Sequence, residues 1–240
     1  MRLRSLESSE AQEDQDLDAI EAASSGGSGG ERELERDPLV TREPGAWDRL
    51  LESIGPPSIL VWIQSRMSPW LLERLTPEDV WQETLLQAWR DRERFVWRGR
   101  RAFRRWLLGI AEHRIRDLID REHAAKRAGG SPALPLSPLS SGSSTSTADF
   151  GAFGPVASTT PSRVAAFREE ADAMRSALEG IDRELREVVV LRLFEDLTHE
   201  EVAARLGISP RSAKHRFRRG VSEYSRRLAQ DPRSHVARAR

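Results

Sequence analysis

Between Phe95 and Trp106 the chain interleaves rings with guanidinium groups: Phe95, Trp97, Arg98, Arg100, Arg101, Phe103, Arg104, Arg105 and Trp106. Arginines neutralise phosphates, and aromatic faces give unstacked bases somewhere to sit, so this composition suits melted rather than duplex DNA. Phe103 and Trp106 fall on helical spacing and read as core, whereas Phe95 and Trp97 divide evenly between core and stacking platform. A second constellation lies near the C-terminus. With Phe217 at the centre of a buried stripe and 100° per residue, Arg211, Ser212, His215, Arg218, Arg219 and Ser222 fall on the opposite face, flanked by Lys214 and Arg216. Such a helix suits the major groove, where arginine matches the two acceptors of guanine and later arginines meet phosphates. Ser209, at its start, brings partly positive backbone N–H groups toward a phosphate. A third face, with Asp79, Gln82, Glu83 and Gln87, is acidic and amide-rich. Arg-rich faces are also what solvated helices display, so charge alone does not decide between binding and solvation.

Catalytic chemistry finds no foothold. Cysteine is absent, which removes disulfides, thiol nucleophiles and thiolate zinc sites. His113, His123, His199, His215 and His235 form neither a His-Glu-x-x-His pattern nor a metal set, and read as surface histidines. The acid pairs Glu169-Glu170 and Glu200-Glu201 read as helix-face and capping residues rather than acid/base pairs. No glycine-rich phosphate loop follows a strand, so no enzyme activity, metal or cofactor is expected.

The elements that must position these residues are helices. Thr76-Pro77-Glu78-Asp79 supplies an N-cap, a proline at the first helical position and an acid at the third, opening a helix to about Arg90 with the stripe Trp81, Leu85, Ala88 and Trp89. Ahead of it, Trp47, Leu50, Leu51 and Ile54 share a face, and Ile59 to Met67 form another helix after Gly55-Pro56-Pro57. A further helix runs from about Arg101 to Glu122. Farther on, Phe167, Ala171, Met174 and Leu178 mark one helix, and Asp182 caps a second through about Phe194. Thr198-His199-Glu200-Glu201 is a capping box for a helix that ends at Gly207, and Ser209-Pro210 opens the last helix, with the stripe Ala213, Phe217, Val221, Tyr224 and Leu228. Helix, glycine-containing turn and helix at this length predict a helix-turn-helix.

The expected class is all-α: two small helical domains joined by a flexible linker. Of 240 residues, 32% are charged and the mean hydropathy is −0.58, which argues against one large core. The formal net charge of zero hides segregation: residues 1–36 carry a net −6, residues 98–127 a net +6 and residues 198–240 a net +7. Two separate basic regions imply two contacts with a polyanion. The expected division is an acidic disordered tail over 1–36, a first domain over 37–125, a Gly/Ser/Pro-rich linker over 126–164, a second domain over 165–229 and a basic tail over 230–240. No apolar run of membrane length and no signal-peptide core occurs, so a soluble cytoplasmic protein without membrane contact is expected.

These residues match a family. Glu78-Asp79-Val80-Trp81-Gln82-Glu83-Thr84-Leu85 resembles the motif of sigma region 2 in which an Asp precedes a Gln-Glu pair. Phe103-Arg104-Arg105-Trp106-Leu107-Leu108-Gly109-Ile110-Ala111 resembles its Phe-x-x-Trp-Leu-x-x-Ile-Ala signature, and Leu178 to Leu228 is similar to sigma region 4. Matches in this order, flanking a flexible linker, resemble the extracytoplasmic-function group of the sigma-70 family. The resemblance implies that Asp79, Gln82 and Glu83 dock on the β′ clamp helices of core RNA polymerase and that the second domain meets the β flap. It also implies that Phe95, Trp97, Arg98, Arg100, Arg101, Arg104, Arg105, His113 and Arg116 serve the minus-10 element of promoter DNA. Ser209, Arg211, Ser212, Lys214, His215, Arg216, Arg218 and Arg219 would then serve the minus-35 element. It admits an anti-sigma factor as a further partner.

Two departures stand out. Glu112-His113 occupies the place where the family commonly has Arg-Asn, and Asp120 the place of a frequent basic residue. Carboxylates repel phosphate, so either these side chains face away from DNA or the minus-10 contact is unusual. Two other readings stay open: a free-standing helix-turn-helix regulator of duplex DNA, and a polymerase- or RNA-binding adaptor whose second domain reads no DNA.

Overall fold

The computed structural model describes residues 45–127 and 160–234, and every regular element among them is helical. The expected acidic tail, most of the linker and the last six residues lie outside the described residues. The first group of helices is α1 (Ala46–Ser53), α2 (Pro56–Arg66), the single turn α3 (Pro69–Leu72), α4 (Pro77–Asp91), a 3₁₀ turn (Arg92–Arg94) and α5 (Arg100–Arg127). The second is α6 (Pro161–Glu179), α7 (Arg183–Val189) with a π-type continuation (Val190–Phe194), α8 (His199–Leu206) and α9 (Pro210–Leu228).

Local chemistry sets the boundaries. Gly55 adopts a left-handed conformation (φ 67°) that ends α1 and turns the chain so that Pro56 starts α2. Pro56-Pro57 therefore opens a helix as well as closing one. The Thr76 hydroxyl accepts from the Asp79 amide while the Asp79 carboxylate accepts from the Thr76 amide at 2.8 Å, a complete capping box for α4. Thr198 and Glu201 repeat the device for α8. Caps of this kind contribute about 1 kcal/mol each. Helix α5 runs past the expected Glu122 to Arg127, and α6 begins at Pro161, so both reach into the stretch expected to be linker.

In the first group α2 packs against α4 and α5, and its Ile59, Leu60, Val61, Trp62 and Ile63 are all buried. The stripe Trp81, Leu85, Ala88 and Trp89 meets them, and Trp47 sets its ring edge-on to both Trp89 (5.1 Å between centroids) and Phe103 (5.8 Å). Helix α6 also packs along α2, and one continuous apolar core joins Leu50, Ile63 and Phe103 to Ala171, Leu178 and Phe194. Ion pairs flank this seam. Arg168 of α6 reaches Glu78 at 2.7 Å, and Arg175 bonds Gln64. Burial raises the Glu78 carboxyl, but the Arg168 guanidinium outweighs it and holds the group below the usual carboxylate range.

In the second group α9 crosses α6, α7 and α8. Its stripe Ala213, Phe217, Val221, Tyr224 and Leu228 is buried throughout. Gly207 (φ 65°) supplies the left-handed turn between α8 and α9. Glu170, expected on an exposed helix face, is instead buried, because the C-terminal turn folds back and the Ser234 hydroxyl donates to its carboxylate at 3.3 Å. The sequence places both residues on polar positions and shows no sign of that return.

Close approach of α9 to α7 depends on Gly220, where an added Cβ would lie 2.7 Å from Val189 Cγ2 and 3.1 Å from the Leu185 carbonyl. Gly220→Ala should therefore destabilise the chain by about 1–3 kcal/mol in urea unfolding, the usual cost of overpacking. His199 sits half-buried on the Phe217 ring, with centroids 5.4 Å apart. Burial, reinforced by Arg192, lowers its pKa from the ordinary 6.5. The folded state thus favours the neutral ring: its contribution is complete above about pH 6.5 and is lost as pH falls through the depressed value. Between pH 7.5 and 5.5 the wild type should lose more unfolding free energy than His199→Gln, and equal losses would contradict this placement.

Candidate nucleic-acid interface

On α9 the local build is simple. The Ser209 hydroxyl caps the helix by accepting from the Ser212 amide at 3.1 Å, Pro210 occupies the first turn, and the Phe217 stripe anchors the inner face. Arg211, Ser212, Lys214, His215 and Arg219 are exposed together with Ser209 on the outer face, and Arg218 is half-exposed beside them. Arg216, at the flank, is drawn to Glu184 of α7 at 2.9 Å. The residues expected at a major groove therefore share one face, with the Ser209-capped N-terminus of α9 at its end. Behind that face the Arg192 guanidinium lies over the Phe217 ring, 5.4 Å from its centroid, a cation–π contact.

The first group presents a different surface. The segment Phe95–Gly99 leaves the 3₁₀ turn without regular structure and leads into α5. Phe103 is fully buried, as its spacing predicts. Phe95, Trp97 and Trp106 are only half-buried, and the Phe95 and Trp106 rings lie 4.7 Å apart at a shallow 30° angle. Beside them opens a cavity of about 480 Å³ lined by Asp91, Arg94, Phe95, Val96, Arg98, Ala102 and Trp106. Val96 is 69% exposed, an apolar side chain held in water at the mouth of a ring-walled, arginine-rimmed space. Arg94 and Val96 were not among the residues singled out from the sequence: their neighbours follow no helical period, and only the exposure of Val96 marks it.

The arginines of α5 divide. Arg98, Arg101 and Arg105 are exposed, Arg100 is half-exposed, and His113 and Arg116 lie farther along on the exposed face. Arg104 differs from expectation, being 6% exposed. Its Nη2 donates to Ser58 Oγ at 3.1 Å and to the Phe194 carbonyl at 3.0 Å, and its Nε lies 3.2 Å from Asp196 Oδ2. Burial lowers its pKa and Asp196 offsets part of that effect. The reason is positional: Arg104 adjoins the core residue Phe103 on α5, on the side toward α2 and the π-type turn, so the second group closes over it. Glu112 and Asp120 are both exposed, and Glu112 pairs with Arg116 one turn on at 3.3 Å. That pairing offsets the carboxylate beside the basic face.

On α4, Asp79 and Gln82 are exposed and Glu83 is half-exposed. Asp79 is already committed to its own helix cap through one carboxylate oxygen. Glu83 accepts from Arg114 of α5, a residue not singled out from the sequence. The pair links the α4 face to α5.

Residues 64–125 match the family described as Sigma-70 region 2, and residues 171–223 match Sigma-70, region 4. No curated protein matches the chain. The first match spans α4, the ring-walled cavity and α5, and the second spans the capped helix-turn-helix with its exposed α9 face. With both regions present in this order, the chain belongs to the sigma-70 family of RNA polymerase sigma factors, in its extracytoplasmic-function group.

Proposed function

We propose that this sigma factor joins core RNA polymerase through the Asp79, Gln82 and Glu83 face of α4 and directs initiation by reading two promoter elements. The carrying observation is the pairing, on separate helical groups, of two unlike DNA-suited surfaces. One is a single helix face of arginines and small polar groups; the other is a ring-walled cavity rimmed by arginines. The first suits edges of stacked base pairs at the minus-35 element, and the second suits an unstacked base of the minus-10 element. Phe95, Trp97 and Trp106 supply the faces, Arg94, Arg98, Arg100 and Arg101 the countercharge, and Val96 an apolar lip. Anchoring on the β′ clamp helices and the β flap raises the effective concentration of each reading surface at its element, so individually weak contacts suffice. Action on promoter DNA makes the cytoplasm its place of work.

Transcription from the chain's own upstream region with purified core polymerase tests the reading. Initiation should require the protein and should drop at least about ten-fold for Gln82→Ala/Glu83→Ala, the scale of losing one or two well-placed interfacial groups. Intact duplex binding with no polymerase binding and no initiation would favour a free-standing helix-turn-helix regulator instead. For the α9 face, Arg211→Ala should weaken binding to a minus-35 duplex by about 1–3 kcal/mol in a titration at fixed salt. If neither Arg211→Ala nor Arg218→Ala alters duplex affinity, α9 is not the reading helix.

A further inference from the structure

The basic surface around Phe95 stays open to solvent although the two groups of helices pack together. Residues 92–105 hold seven arginines and one acid, Glu93. Arg94 stands 3.6 Å from Asp91 with its side chain 87% exposed, and Arg98 is exposed with no ion pair among the described residues. Arg101 donates to a neutral acceptor, the Asp196 carbonyl. Between these cations the rings of Phe95 and Trp106 and the exposed Val96 leave an apolar cavity uncovered. A ligand that fits carries several negative charges and, set among them, groups that gain by leaving water.

The chain itself holds such a ligand. Residues 7–21 contain seven acids and no base, with Leu17 and Ile20 set between carboxylates. We propose that residues 7–21 dock on the surface of Arg94, Arg98, Arg101 and Arg105, with Leu17 and Ile20 covering the cavity at Phe95, Val96 and Trp106, so that single-stranded DNA binds there only by displacing them. The competition rests on the proposed minus-10 role of this surface; the docking does not. Two observations favour this surface over the equally basic α9. The first is where the described chain starts. Trp47, two residues beyond Gly45, sets its ring against Phe103, and Phe103 in turn lies 5.8 Å from Phe95, 6.1 Å from Trp97 and 5.7 Å from Trp106. One ring thus separates the start of α1 from the cavity wall. Glu21 stands 24 residues before Gly45, a tether of at most about 80 Å that holds the acidic run at high effective concentration beside that wall. The second is chemical: the exposed face of α9, with Arg211, Ser212, Lys214, His215 and Arg219, is polar throughout and offers Leu17 and Ile20 no cover. Exposed charge pairs are screened beyond about 8 Å at physiological ionic strength, so the docked segment yields to salt and to a longer polyanion.

The test uses the full chain. Because it has no cysteine, Ala19→Cys supplies a single site for a nitroxide spin label. In amide NMR spectra the label should broaden the signals of Val96 to Ala102 and leave those of Arg211 to Arg219 sharp, and the broadening should be relieved by about 0.5 M salt or by an oligo(dT) of about 20 nucleotides. Two unlabelled variants then give the affinity. Replacing the seven acids between Glu7 and Glu21 by their amides should tighten oligo(dT) binding about ten-fold, the factor expected if the segment is docked about nine-tenths of the time, with minus-35 duplex affinity unchanged. Leu17→Ser/Ile20→Ser, which keeps every charge, should tighten it about three-fold, as when docking falls to about two-thirds. Broadening at α9, or nowhere, would overturn the proposal. An equal gain for oligo(dT) and duplex in the amide variant would overturn it too, by reporting only the loss of negative charge, and no gain from Leu17→Ser/Ile20→Ser would overturn the seating in the cavity. Broadening at Val96 to Ala102 with no oligo(dT) binding by parent or variant would instead overturn the reading of the surface as a site for melted DNA.

Discussion

Helix α2 is apolar on nearly every side, and a helix of that kind has to be covered on more than one face. Helices α4 and α5 cover two of them, and α6 supplies another. Most other contacts follow from this arrangement. Once α6 lies along α2, the chain brings α7 and its π-type end against the start of α5, where Arg104 stands beside Phe103. The same placement puts Arg168 within reach of Glu78 at the start of α4. A burial requirement in the first domain therefore decides which polar groups of the second domain face its basic surface.

Helix class and most caps were legible from local chemistry, because the signals are short-range. Thr76 with Asp79, Thr198 with Glu201, and Ser209 with Pro210 each declare a boundary within four residues, and the stripe from Ala213 to Leu228 declares a buried face without reference to any partner. The outer face of α9 followed directly, since a residue opposite a buried stripe on an isolated cylinder must point outward. The surface around α5 was harder. Its arginines occur on every side of the helix, so periodicity cannot tell which one a second domain will enclose. Arg104 is separated from the exposed Arg105 by one residue step, and only the long-range approach of residues 194–196 distinguishes them. Arg114 and Val96 escaped notice, and Glu170 was placed on a helix face, for the same reason: each takes its character from a residue distant in sequence or from exposure that no local pattern encodes.

The two proposed reading surfaces differ in how they are built. Helix α9 is fixed by five buried side chains, by the Gly220 approach to α7 and by an N-cap, so its outward residues are preorganised and little ordering is left for binding. The ring-walled cavity is built from an irregular segment, and its walls are side chains only half removed from water. Such a site fits a base that has itself left a stack, because the apolar faces gain cover at the moment the base gains a partner. The rigid surface suits the part of the DNA that stays double-stranded, and the adaptable one the part that opens.

A chain that must hold two polyanion-binding surfaces on one tether faces self-repulsion unless the charges are balanced. Here the described residues balance them locally: Glu83 with Arg114, Glu112 with Arg116, Glu78 with Arg168, Glu184 with Arg216, and the 195–201 turn with Arg66, Arg104 and Arg105. These pairs offset only part of the basic excess of the described residues, and the formal net charge of zero is reached through the acidic stretch over residues 1–36, which carries a net −6. The exposed pairs among these, such as Glu112 with Arg116 and Glu201 with Arg105, are worth little individually.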